Sequence, residues 1–293
     1  MLMRRKKLNA LLEVLSPASP LTILIHNNPD PDAIASAVAL RHLLNKKLHI
    51  DCPIYYQGII GRSENKALVR YLNFPLRLLT NLEMLAQTKV ALVDTQSGAG
   101  NNALPPQINP TIVIDHHPLL EATGLAAYSD VRPEVGATAS IIMEYYRGAR
   151  LRPPAPLATA LFYGIKTDTM GLGRGTSEID TKAICALLPL LDVEAISKIE
   201  RAQVPPAYFK SFTEALQKAH LYDGVVISYL GPMNYPDLAA EIADFLLRIK
   251  GSRWVICMGV YKDRLILSVR THYRRGAGQL AQQIVRGEGL AGG

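Results

Sequence analysis

With 293 residues, 48% of them hydrophobic and 19% charged, the chain can bury a large core, suits two domains of ordinary size and is excluded from the disordered and fibrous classes. No apolar run approaches the ~18 residues that span a bilayer, and "LNALLEVL" (8–15), broken by Glu13, is a poor leader core, so a cytoplasmic protein without a membrane partner is expected. The net charge of +7 favours anionic partners, while Cys52, Cys185 and Cys257, an odd set with no Cys-x-x-Cys pair, exclude a disulfide framework and a thiolate zinc site and read as buried reduced thiols.

In chain order, "MRRKK" (3–7) reads as a solvated terminal segment. A strand follows over 21–25 ("LTILI"), then a helix from Asp32 to about Leu44 and a strand over 49–56 ("HIDCPIYY"). Next come a helix over 64–72 with Ser63 as N-cap and strands over 89–93 ("KVALV") and 111–114 ("TIVI"). Such alternation predicts βαβ units, hence an α/β domain whose mainly parallel sheet carries helices on both faces. Further helices are predicted over 136–147, 155–166 and 178–190, and one from Val193 closes before Pro205-Pro206. Beyond lies a smaller α+β domain: antiparallel strands in "YDGVVISYLG" (222–231), "RWVICMGVY" (253–261) and "RLILSVR" (264–270), and helices over 237–249 and 277–286. The expected organisation is a first domain over 1–190, a linker over 191–210 and a second domain over 211–293.

In parallel sheets ligands bind beyond the carboxyl ends of the strands, and three predicted strands end in unusual chemistry there. His26 follows "LTILI", Asp94 follows "KVALV", and Asp115-His116-His117 follows "TIVI". Parallel strands share a direction, so these groups emerge on one edge. Asp30 and Asp32 sit two apart in the loop "HNNPDPD" (26–32), held extended by its prolines, and alternate residues of an extended chain face one side. Asp32 has a second reading as the N-cap of the following helix; for Asp30 no structural need is evident.

Each of these residues alone has an ordinary reading as a turn former or an edge group. Together they repel one another and cost several kcal/mol of desolvation unless a cation compensates. A donor set of imidazole nitrogen and carboxylate oxygen without thiolate suits manganese, iron, cobalt or zinc. The carboxylates suffice for two divalent ions, which ~4 Å apart clamp a phosphoryl centre. The Asp-x-Asp of Asp30–Asp32 also matches an aspartyl-phosphate nucleophile, but five residues separate Asp30 from Ile25 at the strand end, which speaks against that chemistry.

On these residues the chain resembles the DHH phosphoesterase family. The motifs are "HNNPDPDAIAS" (26–36), Asp94 in "LVDTQ" (92–96), "IDHHP" (114–118) and Asp168 in "LFYGIKTDTMGL" (161–172), in the family's order. The second domain resembles the associated DHHA1 domain, with "LILSVRT" (265–271) matching its substrate-binding strand. The resemblance implies that His26, Asp30 and Asp94 hold one metal and Asp32, Asp94, His116 and Asp168 the other, with Asp94 bridging. It implies two divalent ions, usually manganese; a catalytic His117 facing the scissile phosphate; and an Arg270 that reaches the phosphate from the second domain. Asp115 is expected to fix a ligand imidazole, and Arg274 and Arg275 are further candidates for backbone phosphate contacts. DHHA1 domains of this type carry a glycine-rich loop followed by a substrate-holding His, and this sequence closes on "GEGLAGG" (287–293) without one.

The implied activity is that of a two-metal phosphodiesterase or phosphatase of nanoRNase type. Its substrates would be very short oligonucleotides, linear dinucleotides or adenosine 3′,5′-bisphosphate, so the expected partner is a short nucleic acid or nucleotide; a homodimer is the expected assembly. One alternative is an inorganic pyrophosphatase or polyphosphatase, whose second domain carries a Ser-Arg-Lys-Lys run absent here. Another is a nucleotide-sensing module without turnover, against which the full ligand set speaks.

Overall fold

The computed structural model describes residues 2–15, 20–273 and 276–286. It divides into one unit of residues 1–60 and 64–201 and a second of 61–63 and 202–293. Among the described residues no helix is long and apolar enough to cross a membrane.

The first unit runs α1 (Leu2–Glu13), β1 (Leu21–Ile25), α2 (Pro31–Leu48), β2 (Ile54–Tyr56), α3 (Ser63–Leu72), β3 (Arg77–Leu78), β4 (Lys89–Val93), β5 (Ile112–Asp115), β6 (Tyr128–Val131), α4 (Thr138–Ala149), α5 (Ala155–Asp168), α6 (Glu178–Leu187) and α7 (Val193–Glu200). Its six strands lie in the order β3-β2-β1-β4-β5-β6, all parallel. The chain steps from β1 outward to β3 and then returns to place β4 on the other side of β1. The strand order therefore reverses between β1 and β4, where open α/β sheets leave a crevice for ligand.

Side chains alternate across the sheet. Ile23, Ile25, Ala91, Val93, Ile112 and Ile114 join the α-helices in the main core. Leu24, Leu92 and Val113 face the other way, where Leu79, Leu85 and the partly buried Leu104 and Ile108 cover them. A 3-10 turn at Glu83–Gln87 and irregular chain thus take the place of the expected second helical layer. The strand read over 49–56 is confined to Ile54–Tyr56, because α2 continues to Leu48 and ends on His49 at φ 56°, whose N–H bonds to the Asn45 carbonyl. The "MRRKK" segment is not a solvated arm: it is helical, Leu8 and Leu11 are buried, Arg4 pairs with Glu144 at 2.7 Å and Lys7 with Asp130 at 2.6 Å. Of the three thiols expected to be buried, Cys185 on α6 is exposed.

The second unit comprises α8 (Pro206–Gln217), β7 (His220–Tyr222), β8 (Val225–Pro232), α9 (Leu238–Leu246), β9 (Trp254–Tyr261), β10 (Arg264–Thr271) and α10 (Ala277–Ile284), with sheet order β10-β9-β8-β7. β9 and β10 form the expected hairpin, and Lys262 and Asp263 both take the positive φ a two-residue turn demands. β8 and β9, however, run parallel, since α9 crosses over between them and carries the chain back to the starting edge. Val226, Val255 and Cys257 pack there against Leu238, Ile242 and Leu246.

Candidate metal centre

The loop leaving β1 carries three of the expected ligands, and its backbone is fixed on both sides. Asn27 N–H donates to the Asn101 carbonyl at 2.6 Å, Asn28 N–H to that of Gln57 at 2.9 Å, and the buried Asn65 Nδ2 to that of Pro29 at 3.3 Å. Asp30, not Asp32, is the N-cap of α2: its Oδ1 accepts the Ala33 N–H at 3.0 Å, with Pro31 in the first helical turn. Asp32 caps a different helix. Its carboxylate accepts the amides of Thr138 at 2.6 Å and Ala139 at 2.8 Å, where α4 begins on Ala137, a residue with no capping side chain. Ser36 Oγ, at 3.3 Å from Asp32 Oδ1, fills that oxygen, so Oδ2 keeps a lone pair for a ligand role.

The ends of β4, β5 and α5 supply the rest. Asp94 leaves β4 in the left-handed region at φ 60°, tied through its N–H to the Ile114 carbonyl. Its Oδ2 lies 3.6 Å from His26 Nε2 and its Oδ1 3.6 Å from His116 Nε2. Among the described residues the only hydrogen bond to its carboxylate comes from Thr138 Oγ1, 2.7 Å from Oδ1. His26 Nε2 is also 3.6 Å from Asp30 Oδ1, and His116 Nε2 is 3.2 Å from Oδ2 of Asp168, the last residue of α5. His26 Nδ1 donates to the Asn27 carbonyl at 2.9 Å and His116 Nδ1 faces that of Val135 at 3.3 Å, which leaves each Nε2 lone pair turned toward the carboxylates.

Gly164 lets α5 lie this close. A Cβ there would meet Asp32 Cα at 3.0 Å and the Pro31 carbonyl at 3.2 Å. That explains a glycine inside a helix, where it costs about 1 kcal/mol against alanine.

The electrostatics are those of a site short of positive charge. Burial raises Asp94 to about 6, with Asp30 adding to the effect and His116 opposing it. Asp32 and Asp168 are likewise held above the usual carboxylate range, first by burial and then by neighbouring carboxylates. Burial works against a charged His26, yet Asp30 and Asp94 lift it to about 10; His116 is raised for the same reason by Asp168 and Asp94. Among the described residues Asp94 Oδ2 is buried without a hydrogen-bond partner, and His116 Nε2 has only the Asp94 and Asp168 carboxylates beside it. An orphaned oxygen and an imidazole among acids are a poor protein interior and a good cation site. Donor atoms of His26, Asp30 and Asp94 lie within 4.8 Å of one another, as do those of Asp32, His116 and Asp168 and those of Asp94, His116 and His117.

Asp115 meets the ring of His117 and only the backbone of His116. Its Oδ1 accepts the His117 Nδ1 proton at 2.8 Å and the His116 backbone N–H at 2.8 Å, while Oδ2 takes Gln96 Nε2 at 2.7 Å. The His117 ring is half-exposed, its Nε2 left without a bond from Asp115. Arg270 lies on β10 of the second unit, where its Nε donates to Asp244 at 2.6 Å and Arg62 Nη2 approaches the same carboxylate at 3.8 Å. Arg274, Arg275 and the 287–293 segment lie outside the described residues.

The residues that sequence reasoning missed are Thr138 and Gln96, both buried and both bonded to acids of the centre. Neither belongs to a residue class that marks metal or acid-base chemistry. The weak cue for Thr138 was its place where a helix opens.

Residues 20–165 match the model of the DHH family, N-terminal domain. An uncharacterized protein of Methanocaldococcus jannaschii is 37% identical over 255 residues, covering 86% of this chain and 52% of that one. A probable manganese-dependent inorganic pyrophosphatase of Deinococcus radiodurans is 31% identical over 180 residues, 60% of this chain and 56% of that one. The chain thus spans about half the length of the curated relatives it matches. Among solved structures, an exopolyphosphatase-related protein from Bacteroides fragilis superposes with a TM-score of 0.69 at 14% identity, over 98% of this chain and 89% of that one, and shares its fold. The four motifs in order, the meeting of their side chains at the β1/β4 crevice and the family match place this chain in the DHH family.

Proposed function

We propose that the chain is a two-metal phosphoesterase acting on short nucleotides: very short oligonucleotides, linear dinucleotides or 3′,5′-bisphosphorylated nucleotides. The observation that carries this reading is the meeting of seven His and Asp side chains, in which Asp94 Oδ2 is buried with no hydrogen bond among the described residues. His26, Asp30 and Asp94 would hold one ion and Asp32, Asp94, His116 and Asp168 the other. Manganese is the ion of choice, given the donor set and the manganese-dependent relative. When bound, such ions polarise a phosphoryl oxygen and make water acidic enough to serve as a nucleophile near neutral pH. Thr138 and the α4 amides hold Asp94 and Asp32 in place. His117, charged and with its Nδ1 proton on Asp115, would donate its Nε2 proton to the scissile phosphate and stabilise the developing charge. Arg270 is the substrate-binding cation of the second unit.

A pyrophosphatase is the second reading, favoured by the Deinococcus relative and opposed by the absence of a Ser-Arg-Lys-Lys run. Turnover of a linear dinucleotide, adenosine 3′,5′-bisphosphate and pyrophosphate, each with manganese and after chelation, tests both. Manganese-dependent cleavage of a nucleotide, lost in Asp94→Asn, is expected. Preference for pyrophosphate would select the second reading, and nucleotide binding with no turnover would make the chain a sensor.

A further inference from the structure

We propose that Gln96 is a positioning residue that sets His117 for its phosphate contact, acting through Asp115. The proposal deepens the reading of His117 given above and rests on it. Gln96 stands two residues beyond Asp94 and is 1% exposed. Its carboxamide is fully engaged: Oε1 accepts the Leu120 N–H at 3.0 Å and the Thr123 hydroxyl at 2.7 Å, while Nε2 donates to the Pro118 carbonyl at 3.1 Å and to Asp115 Oδ2 at 2.7 Å.

The orientation of an amide is ordinarily a matter of assignment. Here the backbone decides it, because Leu120 N–H can only donate and the Pro118 carbonyl can only accept. Asp115 therefore always meets an N–H from Gln96. That contact has mechanical content, since the terminal torsion of an aspartate is broad and two-fold and nothing intrinsic selects its angle. With Oδ2 held by Gln96, Oδ1 is fixed toward the His116 amide and His117 Nδ1, both at 2.8 Å. An anionic acceptor at that place keeps one proton on Nδ1, so Nε2 is the nitrogen that gains the second proton and donates it to a phosphate oxygen. Gln96 thus joins the exit of β4 to that of β5 and transmits the rigidity of the 118–123 backbone to one imidazole.

The rival account is that Gln96 merely anchors the 118–123 segment, and two variants separate them. Gln96→Glu keeps an acceptor for Leu120 and Thr123 but turns a carboxylate oxygen on Asp115. Thr123→Val loosens the same segment and leaves the Asp115 contact alone. The readout is the ring 15N shifts of His117 in histidine-labelled, magnesium-loaded full chain, in alkaline buffer where the ring is neutral, assigned with His117→Asn.

Wild type and Thr123→Val should show a protonated Nδ1 and a bare Nε2; Gln96→Glu should show a mixture of tautomers. In parallel, kcat on the dinucleotide should fall about 10- to 100-fold, with KM and manganese Kd within about threefold of wild type. Gln96→Met, neutral and of similar length, should give the same ring shifts and serves if the Glu variant fails to fold. Wild-type shifts in both Gln96 variants, or the same mixture in Thr123→Val, would overturn the proposal. A wild-type chain without turnover overturns the functional reading instead, and the ring shifts still decide the positioning.

Discussion

Replacing Thr138 by Val removes one hydroxyl from the centre of the metal site and keeps the branched shape of the side chain. The backbone amide of residue 138 still reaches Asp32, so the first turn of α4 stays capped. What is lost is the 2.7 Å bond from Oγ1 to Asp94 Oδ1. Among the described residues that is the only hydrogen bond Asp94's carboxylate accepts, because Oδ2 has none. A hydrogen bond to a charged group is worth about 1.5–3 kcal/mol, which corresponds to roughly 10- to 150-fold in an equilibrium constant. Asp94, proposed to serve both ions, would then be free to turn, so manganese affinity should fall by about 10- to 100-fold, with most of the loss restored in Thr138→Ser. Titration calorimetry with manganese, beside a circular-dichroism check of folding, measures this. A folded Thr138→Val chain with wild-type Kd would refute both the bridging role of Asp94 and the place given to Thr138.

Gly164→Ala should cost about 1–3 kcal/mol of stability through overpacking against Pro31 and Asp32, and it should also weaken manganese binding; a gain in Tm, as for an ordinary helical glycine, would contradict the close approach. Arg132→Met takes from the buried Asp130 and the partly buried Glu144 the guanidinium that spans them, at 2.6–2.8 Å and 2.5 Å, leaves Lys7 and Arg4 as their cationic partners, and should cost about 1–3 kcal/mol. Burial tends to raise both acids, but Arg132 holds them below their ordinary values. They therefore stabilise the fold above their unfolded pKa near ~4 and lose that contribution as pH falls through the lower folded values. Wild-type Tm should drop on acidification below about pH 4, and the Arg132→Met profile should be flatter; parallel profiles would exclude the network as the cause. Arg270→Ala should raise KM for a nucleotide substrate several-fold with little change in manganese Kd; a lost metal affinity instead would assign the residue to the metal centre.

Strand-end reasoning found His26, Asp94 and the Asp115-His116-His117 triplet because a buried parallel strand has no use for an acid or imidazole at its carboxyl edge. Asp168 ends a helix, where local pattern gives no such signal, and it was visible only through resemblance. Gln96 and Thr138 carry no mark of their own: what matters is that each is buried and which acid it faces, and burial of a single polar residue cannot be read from its neighbours in the chain. The same blindness hid α1, whose basic residues look like a solvated arm until Glu144 and Asp130, more than 120 positions away, are seen to receive them. The parallel pairing of β8 and β9 was missed because an alternating pattern fixes which side of a strand is wet and says nothing about the direction of its neighbour.

The cap that Asp30 provides to α2 has an evolutionary reading. Asn is as good as Asp at that position, so a single change from carboxylate to carboxamide would spare the helix while depriving the pocket of one anion. Descendants of this architecture that have abandoned catalysis can thus remain well folded, and thermal stability alone will not tell them from working enzymes. The chemistry of position 30 will.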